Sequence, residues 1–379
     1  MQSLFSSYSH LYLYASESVL FVWSKTTASL YTFSNHYGAL FFYMEENNNV
    51  DTATQYILSI GLKNTTKTKQ IISTIHTLLN NTEENTFYKE AQLKRVPTVV
   101  NSTSLYKHYA LYNSSFSLYV DDSIAKFVEV SFEHLLTSEL TLPKYHFEVL
   151  HEHGIYNIYA NGRFQESVEK KENILAVLQD TIRIIFYQNS DFLVAIHAAV
   201  LSYSGKTFIF PGISGAGKST LSSFLMNRGF TLYSDEVTVV DSNYTIHSLA
   251  LCNTIKEDSW EVVKKFNNTV DSLSIHKRFD GQRTKFLKPP ATAKDPIEAQ
   301  GAYIFFPTYK KGSSTVVRTI DIVEAISLIS QAQYHLYNSK DAEVTKSFLK
   351  FLVSCQLYTI SYSNLKSAQK AMQEVLKGD

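Results

Sequence analysis

One octapeptide in the middle of the chain carries residue types that bind phosphate. It runs from residue 212 to residue 219, reads GISGAGKS, and matches the P-loop (Walker A) pattern G-x-x-x-x-G-K-[ST]. The glycines allow successive backbone N–H groups to point at phosphate oxygens, and Lys218 is expected to reach the β- and γ-phosphates. The Ser219 hydroxyl is expected to ligate Mg²⁺. The residues predicted to hold the nucleotide are Gly212, Ser214, Gly215, Ala216, Gly217, Lys218, Ser219 and Thr220.

Two acidic residues follow this motif in the sequence, at a spacing that should bring them back beside it in the fold. A helix from Lys218 to Arg228 carries the chain about 16 Å away from the motif. The strand predicted over residues 230–234 then brings the chain back by a similar length, to Asp235 and Glu236. One carboxylate could hold Mg²⁺ and the other could accept a proton from an attacking hydroxyl. The pattern also allows a solvated strand end, and Asp241, at the far end of the next strand, is a lower-ranked magnesium ligand.

A predicted hairpin precedes the motif. Two β-rich runs, at residues 198–201 and 207–210, flank Ser204-Gly205, which is a two-residue hairpin signal. The strand beside the one that enters the motif is therefore predicted to be antiparallel to it. His197 stands at the start of the hairpin, at the same end as the motif. The sequence leaves open whether His197 orients Asp235, contacts phosphate or is structural.

The N-terminal part of the chain is predicted to form a small α+β unit. Its β-rich runs, at residues 18–23 and 28–33, are separated by the hairpin signal Lys25-Thr26-Thr27. Three helices follow, one capped by Ser34 and the others at residues 52–61 and 69–79. Residues 80–98 are predicted to be a linker.

The middle of the chain is β-rich, and a helix ends it. The predicted strands are residues 116–120, 127–130, 146–150 and 155–159, with Asn161-Gly162 as a type I′ hairpin signal. An amphipathic helix is predicted from Ile174 to Tyr187.

Composition limits the classes of function. Lys and Arg number 35, which equals the number of Asp and Glu, so bulk attraction to nucleic acid or anionic membrane is not expected. The two cysteines, Cys252 and Cys355, are too few for a disulfide scaffold or a Cys-rich metal site. No run has the features of a signal peptide or the roughly 18 apolar residues of a membrane span. We predict a soluble, cytoplasmic protein whose partners include neither nucleic acid nor membrane.

The order of these segments resembles the catalytic core of HPr kinase/phosphorylase and its relatives. The matching segments are His197-Ala198-Ala199, Gly205-Lys206, residues 212–219, Arg228-Gly229-Phe230 and Ser234-Asp235-Glu236. The resemblance implies a mixed sheet similar to that of phosphoenolpyruvate carboxykinase. It also implies that Asp235 is the base that deprotonates a serine hydroxyl, and that Glu236 lies near the metal.

The chain departs from the pattern of true HPr kinases at several positions. Glu236 stands where the family has a second Asp, Ala198 stands where it has Gly, and the Gly-rich signature that follows the family's core is missing. The chain looks closer to the HPr-kinase-like proteins of ribosomal-peptide pathways, including lasso-peptide kinases. Segments 256–260 and 285–290 are similar to those relatives too. Lys256, Arg283 and Lys285 are candidate phosphate or substrate contacts, and an ordinary solvated charge is the alternative for each.

The N-terminal unit weakly resembles the winged-helix, PqqD-like peptide-recognition domains of the same pathways, which bind a leader peptide as an added strand. A generic small domain is the alternative.

Together these observations predict an α/β chain, α+β overall, in three regions. Residues 1–85 form the small winged-helix-like domain, residues 100–184 a β-rich region, and residues 185–379 the HPr-kinase-like P-loop core. The expected activity is an ATP- and Mg²⁺-dependent kinase acting on a hydroxyl, most plausibly serine of a peptide or protein such as a precursor peptide. A homo-oligomer is compatible with the sequence.

Three other functions remain open. A small-molecule kinase would use the same nucleotide chemistry. A non-catalytic module could retain a nucleotide pocket. A GTPase-type switch is disfavoured, because neither an Asn-Lys-x-Asp motif nor an Asp-x-x-Gly motif after a strand is found.

Overall fold

The structure is a computed structural model of the whole chain. It describes residues 2–4, 10–15, 19–24, 29–60, 65–80, 107–112, 114–137, 143–188, 190–293, 295–337 and 341–378. The chain divides into two compact units, the first made of Met1–Glu90 with Leu336–Leu352 and the second of Ala91–His335 with Val353–Asp379.

The first unit has an antiparallel four-stranded sheet followed in sequence by three helices. Its elements are β1 (Gln2–Leu4), β2 (Leu11–Ala15), β3 (Val19–Ser24), β4 (Ser29–Ser34), α1 (Asn35–Asn47), α2 (Val50–Ser59) and α3 (Thr66–Asn80). Apolar residues at helical spacing, such as Leu40, Phe41 and Met44, are fully buried, and the Asn49 side chain caps α2. The two predicted strands and three predicted helices are confirmed, and β1 and β2 are additional. The predicted turn at Lys25-Thr26-Thr27, the predicted end of the second helix at Gly61 and the predicted linker beyond Asn80 lie outside the described residues.

The remaining strands belong to the second unit, apart from the last residue of one of them, Leu336. They are β5 (Lys107–Leu111), β6 (Ser114–Val120), β7 (Tyr145–Glu152), β8 (Ile155–Ala160), β9 (Arg163–Val168), β10 (Phe192–Ile196), β11 (Ala198–Tyr203), β12 (Lys206–Pro211), β13 (Thr231–Ser234), β14 (Thr238–Asp241), β15 (Thr245–Ile246), β16 (Asn253–Lys256), β17 (His276–Lys277), β18 (Arg283–Leu287), β19 (Ile297–Glu298), β20 (Tyr303–Tyr309), β21 (Val316–Thr319), β22 (Tyr334–Leu336) and β23 (Gln356–Tyr362).

The later helices are α4 (Ala125–Glu129), α5 (Lys171–Gln188), α6 (Lys218–Met226), α7 (Trp260–Lys264), α8 (Ile322–Ala332), α9 (Ala342–Ser354) and α10 (Leu365–Gly378). Short 3₁₀ turns cover Glu133–Leu135, Glu257–Ser259 and Asn268–Ser272. β22 and α9 each include residues of both units. None of the described helices has both the length and the apolar character that crossing a membrane requires.

A six-stranded mixed sheet carries the glycine-rich loop. Its strand order is β13-β11-β12-β20-β23-β21. β11 is antiparallel to β12 and to β13, whereas β12, β20 and β23 run parallel. Aromatic residues such as Phe208, Phe210 and Phe305, whose rings stack on one another, bury one face of the sheet. The architecture is therefore mixed α/β, as predicted.

Both predicted two-residue hairpin turns are confirmed. Ser204 and Gly205 have φ values of 50° and 73° and join β11 to β12. Asn161 and Gly162 have φ values of 49° and 70° and join β8 to β9. A type I′ turn requires positive φ at both central residues, which Gly and Asn tolerate best.

The predicted strand at residues 127–130 is wrong, because this segment forms the short helix α4. The Asp121 carboxylate accepts hydrogen bonds from the backbone N–H and the hydroxyl of Ser123, at 2.9 and 2.6 Å, and so builds a turn. The backbone N–H groups of Phe127 and Val128 then donate to the Ile124 carbonyl. These local bonds satisfy the backbone without a partner strand, and Val128 is still buried.

The five strands β5 to β9 form a second sheet of this unit, in sequence order, and the predicted helix after it is α5. The predicted regions 100–184 and 185–379 fall within the second unit, except for Leu336–Leu352, which belongs to the first.

Candidate active site

The glycine-rich loop at residues 212–219 connects the end of β12 to the start of α6. Gly215 and Gly217 have φ values of 86° and 92°, which side chains with a Cβ atom rarely adopt. The Lys218 ammonium group folds back over the loop and donates to the carbonyls of Gly212 and Ile213. The loop leads directly into α6, so the unpaired backbone N–H groups of the first helical turn and the positive end of the helix dipole lie next to it. This arrangement suits an anion.

The returning strand places two acids at the same edge of the sheet as the loop. Because β11 is antiparallel to both β12 and β13, those two strands run in the same direction and end at the same edge. Asp235 and Glu236 follow the last residue of β13 directly. Lys218, Asp235 and Glu236 all line one cleft. The predicted juxtaposition is therefore present.

Asp235 is held in a buried hydrogen-bonding position. Only 5% of the residue is exposed. The backbone N–H of Thr254 donates to its Oδ2 at 2.8 Å, and the Ser222 hydroxyl lies 3.5 Å from its Oδ1. Ser222 in turn accepts a hydrogen bond from the Asn253 side-chain amide at 2.8 Å. These contacts fix the orientation of the carboxyl group toward the cleft.

The two neighbouring acids have opposite electrostatic environments. Burial, and then the negative charge of Glu236, raise the pKa of Asp235 to about 7. Burial would also raise the pKa of Glu236, but the positive charges of Arg183 and Arg278 outweigh it and lower that pKa to about 2. The Arg278 guanidinium donates to the Glu236 carboxylate at 3.0 Å. Asp235 can therefore exchange a proton near neutral pH, whereas Glu236 stays ionised.

The Lys218 ammonium group and the His197 imidazole near this pair are shifted toward their neutral forms. Burial lowers the pKa of Lys218, although Asp235 and Glu236 oppose that effect. Burial, reinforced by the charge of Lys218, lowers the pKa of His197 to about 4. His197 is thus a neutral imidazole at neutral pH, and its backbone N–H donates to the Gln333 carbonyl at 3.0 Å. It can hydrogen-bond a ligand but does not add positive charge.

The cleft has a volume of about 1090 Å³. The acids, His197 and Arg278 interact with one another and with Lys218, and we call this part the acidic end. Thr220, Phe224 and Arg228 recur every four residues along α6 and just beyond it, which carries Phe224 and Arg228 roughly 9 and 15 Å away from Lys218. We call this part the aromatic, basic end. The Arg228 guanidinium lies 5.2 Å from the centre of the Phe224 ring. An aromatic, basic surface beside an anion cradle can accept a flat ring system.

Three basic residues were predicted as substrate contacts, and the structure separates them. Lys256 lines the cleft and donates to the Ser214 hydroxyl of the loop at 2.5 Å. Lys285 is buried, donates to the Val270 carbonyl at 2.6 Å and lies 4.8 Å from the Trp260 ring. Arg283 pairs with Glu257. Neither Arg283 nor Lys285 is among the residues that line the cleft.

Asp241, the lower-ranked metal ligand, lies in a different sheet from β13. Its carboxylate is 3.0 Å from Nε2 of His247 and also accepts the backbone N–H groups of Asn243 and Thr245. It does not line the cleft.

Several residues at the site had no signal in the sequence. Arg278 is 42 positions away from Glu236 in the chain, and no spacing rule links them. Ser222 and Asn253 lie 31 positions apart and meet only through packing of α6 against β16. Tyr362, at the end of β23, donates its hydroxyl to the Gly217 carbonyl at 3.2 Å. A search for buried polar contacts around the loop could have found them only after the fold was known.

The cleft offers some, but not all, of the oxygen ligands that a hard cation such as Mg²⁺ needs. Asp235, Glu236 and the Ser219 hydroxyl all line the cleft and offer oxygen ligands. Among the described residues no cluster of three or more His, Cys, Asp or Glu side chains could hold a metal by itself. Mg²⁺ in proteins commonly takes one or two carboxylates and completes its shell with phosphate and water.

Comparison of the chain with models of known protein families gave no match, and comparison with curated protein sequences gave none.

Proposed function

We propose that this protein is an ATP- and Mg²⁺-dependent phosphotransferase that phosphorylates the hydroxyl group of a serine in a peptide or protein. The observation that carries the proposal is the position of Asp235. Its buried carboxyl group has a pKa of about 7 and shares one cleft with Lys218 and the glycine-rich loop. A general base with a pKa near the working pH is what deprotonation of an alcohol needs.

The proposed reaction is a direct transfer of the γ-phosphoryl group. The glycine-rich loop holds the triphosphate through its backbone N–H groups, and Lys218 contacts the β- and γ-phosphates in place of the carbonyls of Gly212 and Ile213. The acceptor oxygen forms a bond to the γ-phosphorus while the bond from that phosphorus to the bridging β,γ-oxygen breaks. Asp235 takes the hydroxyl proton, and ADP is the leaving group.

The remaining side chains orient and balance the charges. Ser219 and Glu236 would hold Mg²⁺, which supplies charge neutralisation of the phosphate oxygens when bound, and this leaves Asp235 to act as the base. The Arg278 guanidinium already contacts the Glu236 carboxylate, so Glu236 would bind both Arg278 and Mg²⁺. Lys256, bonded to Ser214, adds a second positive charge beside the loop. The nucleoside would occupy the aromatic, basic end of the cleft near Phe224 and Arg228.

The proposal extends to the family. The mixed sheet, with β11 antiparallel between β12 and β13, supports membership of the HPr-kinase-like proteins. The first unit, with its strands before its helices, is proposed to be a peptide-recognition domain of the winged-helix type.

The pH dependence of transfer follows from the raised pKa of Asp235. The protonated form cannot act as a base, so kcat/KM should rise with pH through a midpoint near 7 and then level off. The charge of Glu236 contributes to that raised pKa, so Glu236→Gln should move the midpoint to lower pH even though its maximal rate falls. The measurement is a pH-rate profile from about pH 5 to about pH 9. A profile that is flat across this range would contradict the role of Asp235.

A labelled-phosphate experiment tests the function as a whole. The protein is incubated with ATP labelled at the γ-phosphate, Mg²⁺ and either serine-containing peptides or a mixture of hydroxylated metabolites. Mass spectrometry then identifies the labelled product, while calorimetry measures ATP binding separately. Labelled phosphoserine supports the proposal, and a labelled metabolite would support the small-molecule kinase. Absence of ATP binding in the presence of Mg²⁺ would refute both.

A further inference from the structure

The hairpin formed by β17 and β18 lies beside Glu236 and has a solvent-exposed phenylalanine, Phe279, at its tip. β17 and β18 are antiparallel and are joined by residues 278–282. Phe279 is 83% exposed, the highest value among the exposed large apolar residues in the described part of the chain. Full exposure of a phenyl ring forgoes the free energy that its burial would provide. This makes Phe279 a candidate contact for something outside the chain.

The tip is held in one conformation. The backbone N–H of Arg278 donates to the Gln282 carbonyl and that of Gly281 donates to the Arg278 carbonyl, both at 3.0 Å. The Asp280 carboxylate accepts the backbone N–H of Gln282 at 3.0 Å. The side chain of Asn173 in α5 donates to the carbonyls of Lys277 and Arg278 from behind. A ring presented on a fixed turn loses little conformational entropy on binding, as in other preorganised contacts.

The position of the tip identifies which end of the cleft it borders. Arg278 and Asp280, on either side of Phe279, both line the cleft. Arg278 contacts Glu236 at 3.0 Å, so the tip lies at the acidic end and not at the aromatic, basic end. In the proposed reaction the acceptor hydroxyl meets the phosphate at Asp235, so a molecule that contacts Phe279 would lie on the acceptor side.

We propose that Phe279 is a specificity residue that packs against an apolar side chain next to the phosphorylated hydroxyl of a polypeptide acceptor. This inference rests on the proposed function. A small metabolite lying inside the cleft would leave an outward-facing ring uncovered, whereas a polypeptide extends beyond the rim and can cover it. Ile213, which lines the cleft and is 55% exposed, offers a second apolar contact on the loop itself.

A peptide library provides the test. Peptides with a fixed central serine and randomised neighbours are phosphorylated with γ-labelled ATP and Mg²⁺, and the products are sequenced. Wild-type protein should select an apolar residue at a fixed position near the serine. Phe279→Ala should lose that selection and reduce kcat/KM for the best peptide by about tenfold, as expected for loss of one buried side chain. Phe279→Leu should retain most of both, and the affinity for a fluorescent ATP analogue should not change.

Val353→Ala is the matched control, because Val353 is 62% exposed in α9 and does not line the cleft. It should behave as wild type. Selection that persists in Phe279→Ala, or an equal loss in the control, overturns the inference. It is also overturned if no library peptide is phosphorylated while the ATP analogue binds, although the nucleotide site then stands. If the analogue does not bind, the proposed function fails and the inference fails with it.

Discussion

Asp235→Asn should lose phosphoryl transfer while keeping ATP binding close to that of the wild-type protein. Asparagine still offers an oxygen to the Thr254 backbone N–H, which now donates to Asp235 at 2.8 Å, so the local structure should survive. The amide cannot accept the hydroxyl proton, and loss of a general base typically costs about 10²- to 10⁴-fold in rate. Single-turnover transfer and calorimetry with ATP and Mg²⁺ measure the two effects separately.

The control for this variant is Asp241→Asn. Asp241 is the other acid that the sequence suggested, but it pairs with His247 in a different sheet. Its loss should leave transfer unchanged apart from any effect on stability. Transfer by Asp235→Asn at the wild-type rate would show that the base assignment is wrong, and it would favour a protein that binds nucleotide without using this carboxylate.

Gly217→Ala should disrupt the glycine-rich loop far more than Gly215→Ala. Both glycines have positive φ, so either substitution introduces backbone strain of about 1–2 kcal/mol. A Cβ atom at position 217 would also lie 2.6 Å from the Tyr362 hydroxyl oxygen and 3.2 Å from Cβ of Tyr309. A Cβ atom at position 215 meets nothing within 4 Å. We expect Gly217→Ala to weaken ATP binding by more than ~10-fold, because the loop must move to relieve the clash.

The comparison of the two glycine variants separates steric clash from backbone strain. Thermal unfolding reports the cost to the fold, and titration with a fluorescent ATP analogue reports the cost to the site. The two variants should differ most in nucleotide affinity, because Tyr362 and Tyr309 line the cleft beside the loop. Equal losses in both variants would mean that Tyr362 yields easily and does not shape the loop.

The contrast between Asp235 and Glu236 shows how two adjacent carboxyl groups acquire different roles. Burial and then the adjacent negative charge of Glu236 raise the pKa of Asp235 to about 7, although the Thr254 backbone N–H donates to this carboxylate and opposes the shift. Glu236 contacts a guanidinium group, and its pKa falls to about 2. Their neighbours, not their positions in the sequence, assign the proton acceptor and the permanent anion.

Local features of this chain could be predicted from the sequence, because short-range sterics determine them. The Ser204-Gly205 and Asn161-Gly162 turns need positive φ, and the sequence supplies residues that tolerate it. The position of Asp235 beside the glycine-rich loop also followed from counting helix and strand lengths. The strand prediction for residues 127–130 was wrong because the β-forming residues of this segment gave no information about the Asp121 turn that precedes it.

Only the tertiary structure decided which distant groups complete the site. Arg278 reaches Glu236, Asn253 supports Ser222, and Tyr362 closes over Gly217, each across a separation of at least 31 residues. It also assigned Lys285 to a buried structural bond and Lys256 to the loop, although the two looked alike in the sequence. The sequence shows that a residue is a positively charged lysine. Strand pairing and packing determine which groups that lysine contacts, and these depend on the whole chain.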